Sequence, residues 1–375
     1  MAKPVFIIGG SHHNTLGVIR AFGEKGLSSN IVLFISSDDK TVSKSRYISR
    51  KRLYFFEHEQ QLPQMLLKAA QDFEEKPVII CCGDSFIATV DKAGELLSKY
   101  FHIPHGHGRS AINVFLDKDR QRKLASEIGL KMARSYDPDK TDLNDIDYPC
   151  IVKPENSTMG SKDDIAVCKS ITDLRDYINS KTDRQIIIEK YIDKASEFQL
   201  IGCSLAQKII IPGYTDIIRQ PENTNTGYLK YSPIDDGFIS KNLLDKVNQF
   251  IHKIGYVGLF SVEFMRGKDG VDYFLEINMR NDGNAYCVTT AGVNLPYLWY
   301  KYADDSKTEI TEQTTFTRPI YWLPEADLKS IKTIGPAKWI SQWLAADSHA
   351  YASLHDPMPF VHYFYRLIER HIKKK

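Results

Sequence analysis

A chain of 375 residues exceeds the comfortable span of one hydrophobic core, so two or three lobes are expected. Its 42% apolar and 26% charged residues are those of an ordinary folded protein, and 49 basic against 47 acidic side chains leave +2, no electrostatic footprint for nucleic acid. No run approaches the roughly 18 apolar residues of a membrane helix, residues 1–10 do not form a signal peptide, and the six cysteines lack metal spacing, which reads as a cytoplasmic protein.

In chain order, residues 1–112 alternate short apolar strands (5–8, 31–35, 78–82) with helical stretches near 17–25 and 60–73. That is the βαβ rhythm of a parallel sheet covered by helices. Gly9-Gly10-Ser11 follows the first strand, but the next glycine is Gly17 and no Gly-x-Gly-x-x-Gly occurs. The second strand ends in Ser36-Ser37-Asp38, a poor ribose-acid signal, so a dinucleotide site is disfavoured. Residues 214–231 read as too polar and turn-rich to be core, and the Pro221-Glu-Asn-Thr-Asn-Thr-Gly227 stretch within them as a long flexible loop. Such loops carry substrate contacts, which makes Arg219 and Lys230 candidates to hold an acceptor carboxylate, the alternative being solvated charges. Residues 301–375, with Trp322, Trp339 and Trp343 among apolar neighbours, read as a small packed appendage. After Asp356-Pro-Met-Pro359 comes a short basic helix rich in aromatics. Two readings of it stand: weak association with an anionic membrane surface, or a terminal helix packed on the body.

The stretch 257–280 predicts a β-hairpin, with two apolar runs flanking Gly267-Lys268-Asp269-Gly270. If that loop pairs Arg266 with Val271, then 263 faces 274 and 261 faces 276. Alternation then projects Glu263, Glu276 and Asn278 from one side, with Arg280 two residues on. Two carboxylates and an amide suit a hard divalent cation, Mg²⁺ above all, which keeps part of its shell for water and phosphate oxygens. The bland alternative is a solvated face with chance acids. Glu276 lies inside Tyr273-Phe-Leu-Glu-Ile, where a charge is costly unless paired or metal-bound, and this favours the metal reading.

The hairpin resembles the metal-binding end of ATP-grasp enzymes: an acid, then Glu-x-Asn thirteen residues on. Leu116-Asp-Lys118 and its helix resemble the segment that opens the ATP-grasp domain. Pro149-Cys-Ile-Val-Lys153-Pro154 resembles the strand whose lysine meets the phosphates, and Gln185-Ile-Ile-Ile-Glu189-Lys190-Tyr191-Ile192, followed by Glu197, resembles the adenine hinge and ribose acid. The resemblance implies an α/β protein of the α+β ATP-grasp type. A parallel βαβ lobe (1–112) that helps hold the acceptor precedes subdomains at 113–187 and 188–300 clamping ATP, and an appendage (301–375) follows.

It further implies ATP with Mg²⁺ (or Mn²⁺) held by Glu263, Glu276 and Asn278, and Lys118 and Lys153 on the α- and β-phosphates. Ser157, Gly160 and Ser161 fall in a glycine-poor phosphate loop. Glu189 would take the adenine amino group beside the backbone of Lys190 and Ile192, Glu197 the ribose, and Arg280 the charge of the transition state. The expected activity is carboxylate–amine ligation through an acylphosphate, on a small-molecule acid and an amine acceptor. D-alanine–D-alanine ligases carry an arginine where this chain has Ser261, which argues against that type. His12-His13-Asn14, Leu16-Gly-Val-Ile-Arg20, Ser45-Arg46-Tyr47 and Asp356-Pro-Met-Pro resemble D-aspartate ligases and surface-polysaccharide enzymes. A non-catalytic ATP-binding or scaffold protein on the same fold is the competing reading, disfavoured by the intact metal set. The oligomeric state is not legible.

Overall fold

The computed structural model describes all residues except 1–2, 37–39, 155–164, 181–185, 222–223, 225, 304–307 and 373–375. Along the chain come β1 (Val5–Gly9), α1 (His13–Gly23), β2 (Ile31–Ile35), β3 (Leu53–Phe55), α2 (Leu62–Ala70), β4 (Val78–Cys81) and α3 (Asp84–Lys92). There follow α4 (Gly94–Leu97), α5 (Ala111–Phe115), α6 (Lys118–Glu127), β5 (Ser135–Tyr136), β6 (Cys150–Pro154), β7 (Ala166–Cys168), α7 (Ile171–Ser180) and β8 (Ile186–Lys190). The long strands β9 (Lys194–Ser204) and β10 (Ile209–Arg219) lead to β11 (Tyr228–Pro233), α8 (Lys241–Ile254), β12 (Gly258–Gly267) and β13 (Asp272–Asn278). The chain closes with α9 (Tyr286–Thr290), α10 (Leu295–Tyr302), β14 (Ile320–Trp322), α11 (Ile331–Ile334), α12 (Pro336–Ala345) and α13 (Met358–Ile372).

The molecule divides into two compact units: Met1–Gly129 with Phe198–Glu263 and Glu276–Lys375, and Leu130–Glu197 with Phe264–Leu275. In the first unit, β1 to β4 form a parallel sheet in the order β3-β2-β1-β4. Strands β1, β2 and β4 are buried throughout, as expected where helices cover both faces of a parallel sheet. A six-stranded sheet runs β13-β12-β9-β10-β11-β14. In the second unit β5-β8-β6-β7 is antiparallel, and Cys150, Val152, Cys168 and Ile188 pack with Leu174 of α7. All six cysteines are buried and free. Among the described residues no helix is long and apolar enough to cross a membrane.

One face of the N-terminal sheet joins a shared core: Val5, Leu16 and Ile80 fall in one apolar cluster with Ile201, Leu229, Trp299, Trp322 and Tyr351. Its other face packs within the lobe, with Phe6 against Phe34, Phe73 and Phe101. The tail, expected as an appendage, also reaches the shared cluster. Strand β14 extends the six-stranded sheet by pairing Leu229 with Trp322 and Tyr231 with Ile320, and α13 packs Phe360 and Tyr363 on the same cluster. Boundaries at 112, 187 and 300 therefore do not coincide with the compact units, because a discontinuous set of segments shares each core. The flanks of the expected loop at 221–227, read as too polar for core, are strand, with Thr215, Leu229 and Tyr231 buried. β10 continues to Arg219 and β11 starts at Tyr228, with Asp216 opposite Lys230 and Ile217 opposite Leu229. Polar residues alternating along a half-buried hairpin hid the buried half of each strand.

Candidate active site

The acidic set lies in the first unit. Asp117 caps α6 by accepting from the Asp119 and Arg120 amides (2.8 and 3.1 Å), which places Lys118 in the first turn. Its Nζ lies 2.7 Å from Glu276 Oε2. One turn later Gln121 acts as an extra strand residue: its Oε1 accepts from Ile277 N (2.9 Å) and its Nε2 donates to Ile277 O (3.0 Å) and Phe115 O (2.7 Å). Helix α6 is thereby fixed to β13.

Glu263 Oε1 accepts from Asn278 Nδ2 (3.1 Å) and Gln199 Nε2 (3.0 Å), and the same Asn278 nitrogen is 3.5 Å from Glu276 Oε1. Asn278 Oδ1 accepts from Arg280 Nη2 at 3.2 Å. Burial, then the negative charges of Glu276 and Asp282, push the Glu263 carboxyl up to about 7. Arg280 is caged by Asp84 (Nε to Oδ1, 2.9 Å), Asp282 (3.8 Å) and the Asn281 carbonyl (3.2 Å). Asp282 accepts in turn from Ser261 Oγ and the Asn284 amide, both at 2.8 Å. Asn284 Nδ2 donates to Gln199 Oε1 (2.9 Å), and Thr226 Oγ1 donates to Asn284 Oδ1 (3.0 Å). The position where an arginine was expected in a different ligase type thus holds a serine that orients Asp282.

The hairpin closes differently from the expected pairing. Gly267 N donates to Val271 O (2.9 Å) and Gly270 N to Gly267 O (3.0 Å), with Gly270 at φ +78°. Gly267, not Arg266, is therefore opposite Val271, and Arg266 instead forms an ion pair with Asp272 (2.6 Å). A one-residue slip under strict alternation would separate Glu263 from Glu276. Asn278 touches both, so the convergence rests on the contacts themselves.

These residues fit a hard divalent cation. Two carboxylates and an amide oxygen are the right donors, and burial beside two further carboxylates raises Glu263, a penalty that a bound cation would relieve. Among the described residues no group of three or more His, Cys, Asp or Glu forms a metal cage, so such an ion would keep positions for water or phosphate.

In the second unit, Cys150 and Val152 point into the core while Lys153 takes the other face of β6, and its Nζ lies 2.6 Å from Glu189 Oε2. The Glu189 side chain is only 7% exposed. Lys190 N donates to Arg134 O (2.8 Å) and Tyr191 N to Pro149 O (3.0 Å), anchoring the end of β8 next to half-buried Ile192. Glu197 pairs with Lys194 at 2.8 Å. Ser157, Gly160 and Ser161 lie outside the described residues.

Arg219 stands apart from both sets. Its guanidinium grips the fully buried Asp327 through Nε (3.1 Å), donates to Gln342 Oε1 (2.9 Å) and lies over the Tyr228 ring. This fork is engaged inside the protein, and a substrate carboxylate would have to displace a buried acid. Lys230 is half-buried on β11, opposite Asp216 and Tyr321. Sequence reasoning missed Gln199, Gln121, Asp84, Asp282 and Asn284. Only the polar run Arg280-Asn-Asp-Gly-Asn284, directly after a strand, offered a signal.

The family model for "ATP-grasp in the biosynthetic pathway with Ter operon" matches residues 238–322, which span α8 to β14. The formate-dependent phosphoribosylglycinamide formyltransferase of Bacillus velezensis is 28% identical over 232 residues, 55% of each chain. The chain thus spans about half the length of that relative. Among solved structures, the N5-carboxyaminoimidazole synthetase from Staphylococcus aureus complexed with ADP superposes with a TM-score of 0.64 at 18% identity, covering 91% of this chain and 87% of that one. The L-amino acid ligase from Bacillus licheniformis gives 0.61 at 15%, covering 86% and 79%. The fold is that of the ATP-grasp proteins.

Proposed function

We propose that the protein is an ATP-dependent carboxylate–amine ligase working in the cytoplasm. The observation that carries the proposal is the convergence of Glu263, Glu276 and Asn278, with Lys118 and Arg280 at its edges. In this reading the three residues hold Mg²⁺, which neutralises phosphate charge when bound. Lys118 exchanges Glu276 for a phosphate oxygen, and Lys153 meets the phosphates. Glu189, with the backbone of Lys190 and Ile192, receives the adenine, and Glu197 the ribose. Ser157, Gly160 and Ser161 cover the phosphates.

The γ-phosphoryl group passes from ATP to the acid's carboxylate and ADP leaves; an amine then attacks the acylphosphate carbon, gives up a proton, and phosphate leaves as the amide forms. Such transfer asks the protein mainly for positioning and charge neutralisation. Arg280, already caged in one orientation, faces the charge that builds on the phosphoryl and carbonyl oxygens. The acceptor sits at the carboxyl edge of the parallel sheet. There the order β3-β2-β1-β4 reverses direction between β1 and β4, the place where open α/β sheets receive ligands. Gly10 to His12 and Gly83-Asp84 flank that point, and Asp84 already holds Arg280.

The finer reading is an amino acid of the D-aspartate kind joined to a cell-wall or polysaccharide precursor, supported by the outer motifs His12-His13-Asn14, Ser45-Arg46-Tyr47 and Asp356-Pro-Met-Pro359. Weak association of α13 with a membrane surface belongs to it, since such precursors are presented there. Phosphate release on mixing the protein with ATP, Mg²⁺ and a panel of amino acids, D-aspartate included, tests the ligase. Tight Mg²⁺-dependent ATP binding with no release for any pair would favour a non-catalytic ATP-binding scaffold instead.

A further inference from the structure

Helix α13 has two faces of different fate. Phe360 and Tyr363 pack on the core of the first unit, and Tyr363 stacks on Tyr351 with ring centroids 4.4 Å apart. Met358, Val361, Tyr365 and Ile368, spaced three, four and three residues, form a single stripe on the other side. They are 50%, 53%, 62% and 59% exposed, and Leu354, just before the helix, is 98% exposed. Thr41 Oγ1 lies 2.9 Å from His362 Nδ1, and the His362 ring is 6.3 Å from that of Tyr365. The segment beginning at Lys40 therefore borders the stripe. Residues 40–56 contain Lys40, Lys44, Arg46, Arg50, Lys51 and Arg52 and no acid. The first five are exposed, and Arg52 lies over the Phe73 ring. The nearest described acid on α13, Glu369, is paired with Arg366, and Asp356 is fully buried.

We propose that this stripe and the cationic segment 40–52 form one docking face for an anionic membrane surface. The inference rests on the surface association proposed above and not on ligase chemistry. An apolar stripe with a tyrosine, rimmed by lysine and arginine, matches the boundary between lipid headgroups and acyl chains. A second copy would suit the stripe's heptad-like spacing, but pairing two α13 helices would bring two cationic segments together, which like charges oppose. An anionic surface turns the same charges into attraction, about fivefold in partition for each cation near the leaflet.

The test is co-sedimentation of the full chain with phosphatidylcholine vesicles, with and without phosphatidylserine, in low and high salt and without ATP. Binding should appear only with phosphatidylserine and fade with salt. The double variants Lys40→Glu/Lys44→Glu and Val361→Ser/Ile368→Ser should each weaken it at least about tenfold. All four side chains are exposed, so an unchanged melting midpoint separates lost docking from lost folding. Equal binding to both vesicle types, or none to either, overturns the proposal. So does light scattering that finds a dimer which Val361→Ser/Ile368→Ser breaks, since the stripe would then belong to a second copy. A chain that binds vesicles yet releases no phosphate leaves this proposal standing and removes the ligase reading.

Discussion

A carboxyl group titrating at about 7 beside a second carboxylate binds a proton and a metal ion in competition, and Glu263 is such a group. Its folded pKa lies above the usual 4.5, so the protonated form is favoured by folding. That stabilisation is fully present below about 4.5 and is lost as pH rises through 7. Melting of the metal-free protein should therefore fall across that window, by on the order of 2 kcal/mol, and Glu263→Gln should flatten it. In the same window Mg²⁺ should bind more tightly as pH rises, because it displaces the proton, and calorimetry at several pH values checks this. Glu276→Gln should reduce ATP-dependent turnover at least about 10²-fold, with circular dichroism unchanged. Arg280→Ala should lower kcat strongly while leaving ATP affinity within a few-fold, the mark of a transition-state contact, and Arg280→Lys should rescue little. An Arg280→Lys enzyme nearly as fast as the parent would make the residue a plain partner of Asp84. Lys153→Ala should weaken binding of a non-hydrolysable ATP analogue. It should also cost stability, because the Glu189 carboxylate beside it is almost fully enclosed. An Ala variant with parental affinity would move the phosphate contact elsewhere.

The elements were legible where their cause is local. The hairpin around Gly267–Gly270 and the buried parallel strands each follow from a few neighbouring residues. The polar ring behind the acids was not, because Gln199 meets Asn284 across 85 positions and Thr226 meets it across 58. No window of periodicity spans such distances. The hairpin register also slipped by one, since a closing bond at Gly267 and a left-handed Gly270 were not distinguishable from a four-residue loop. That glycine makes the element testable. Gly270→Ala places a Cβ at φ +78° and should lower stability by about 1 kcal/mol, read from thermal denaturation.

At the scale of the molecule, residues far apart in sequence close one core. Arg20 and Asp356 are both fully buried and meet at 3.1 Å, and Asp356 also accepts from Ser45 Oγ (2.9 Å) and the Arg46 amide (2.9 Å). Arg20 further donates to the Ala350 and Tyr351 carbonyls. Close approach of α1 is needed as well: a side chain at Gly23 would fall on the Tyr47 ring at 2.2 Å. The outer motifs that resembled other enzymes thus have a plain physical content, a buried charge pair and the packing around it. Asp356→Ala should destabilise the protein by about 3–5 kcal/mol, because it leaves a guanidinium enclosed without its counter-charge, and denaturant unfolding measures it.

The same pair has a consequence for how the chain is made. Arg20 leaves the ribosome well before the carboxylate that neutralises it, which is added 336 positions later. Until then α1 cannot complete its burial without enclosing an unmatched cation, and the sheet that Trp322 finishes is still open at its edge. The segment that carries α1 therefore waits in an incompletely packed state until Asp356 has been added, the period in which exposed apolar strands such as β1 and β2 are most in need of a chaperone.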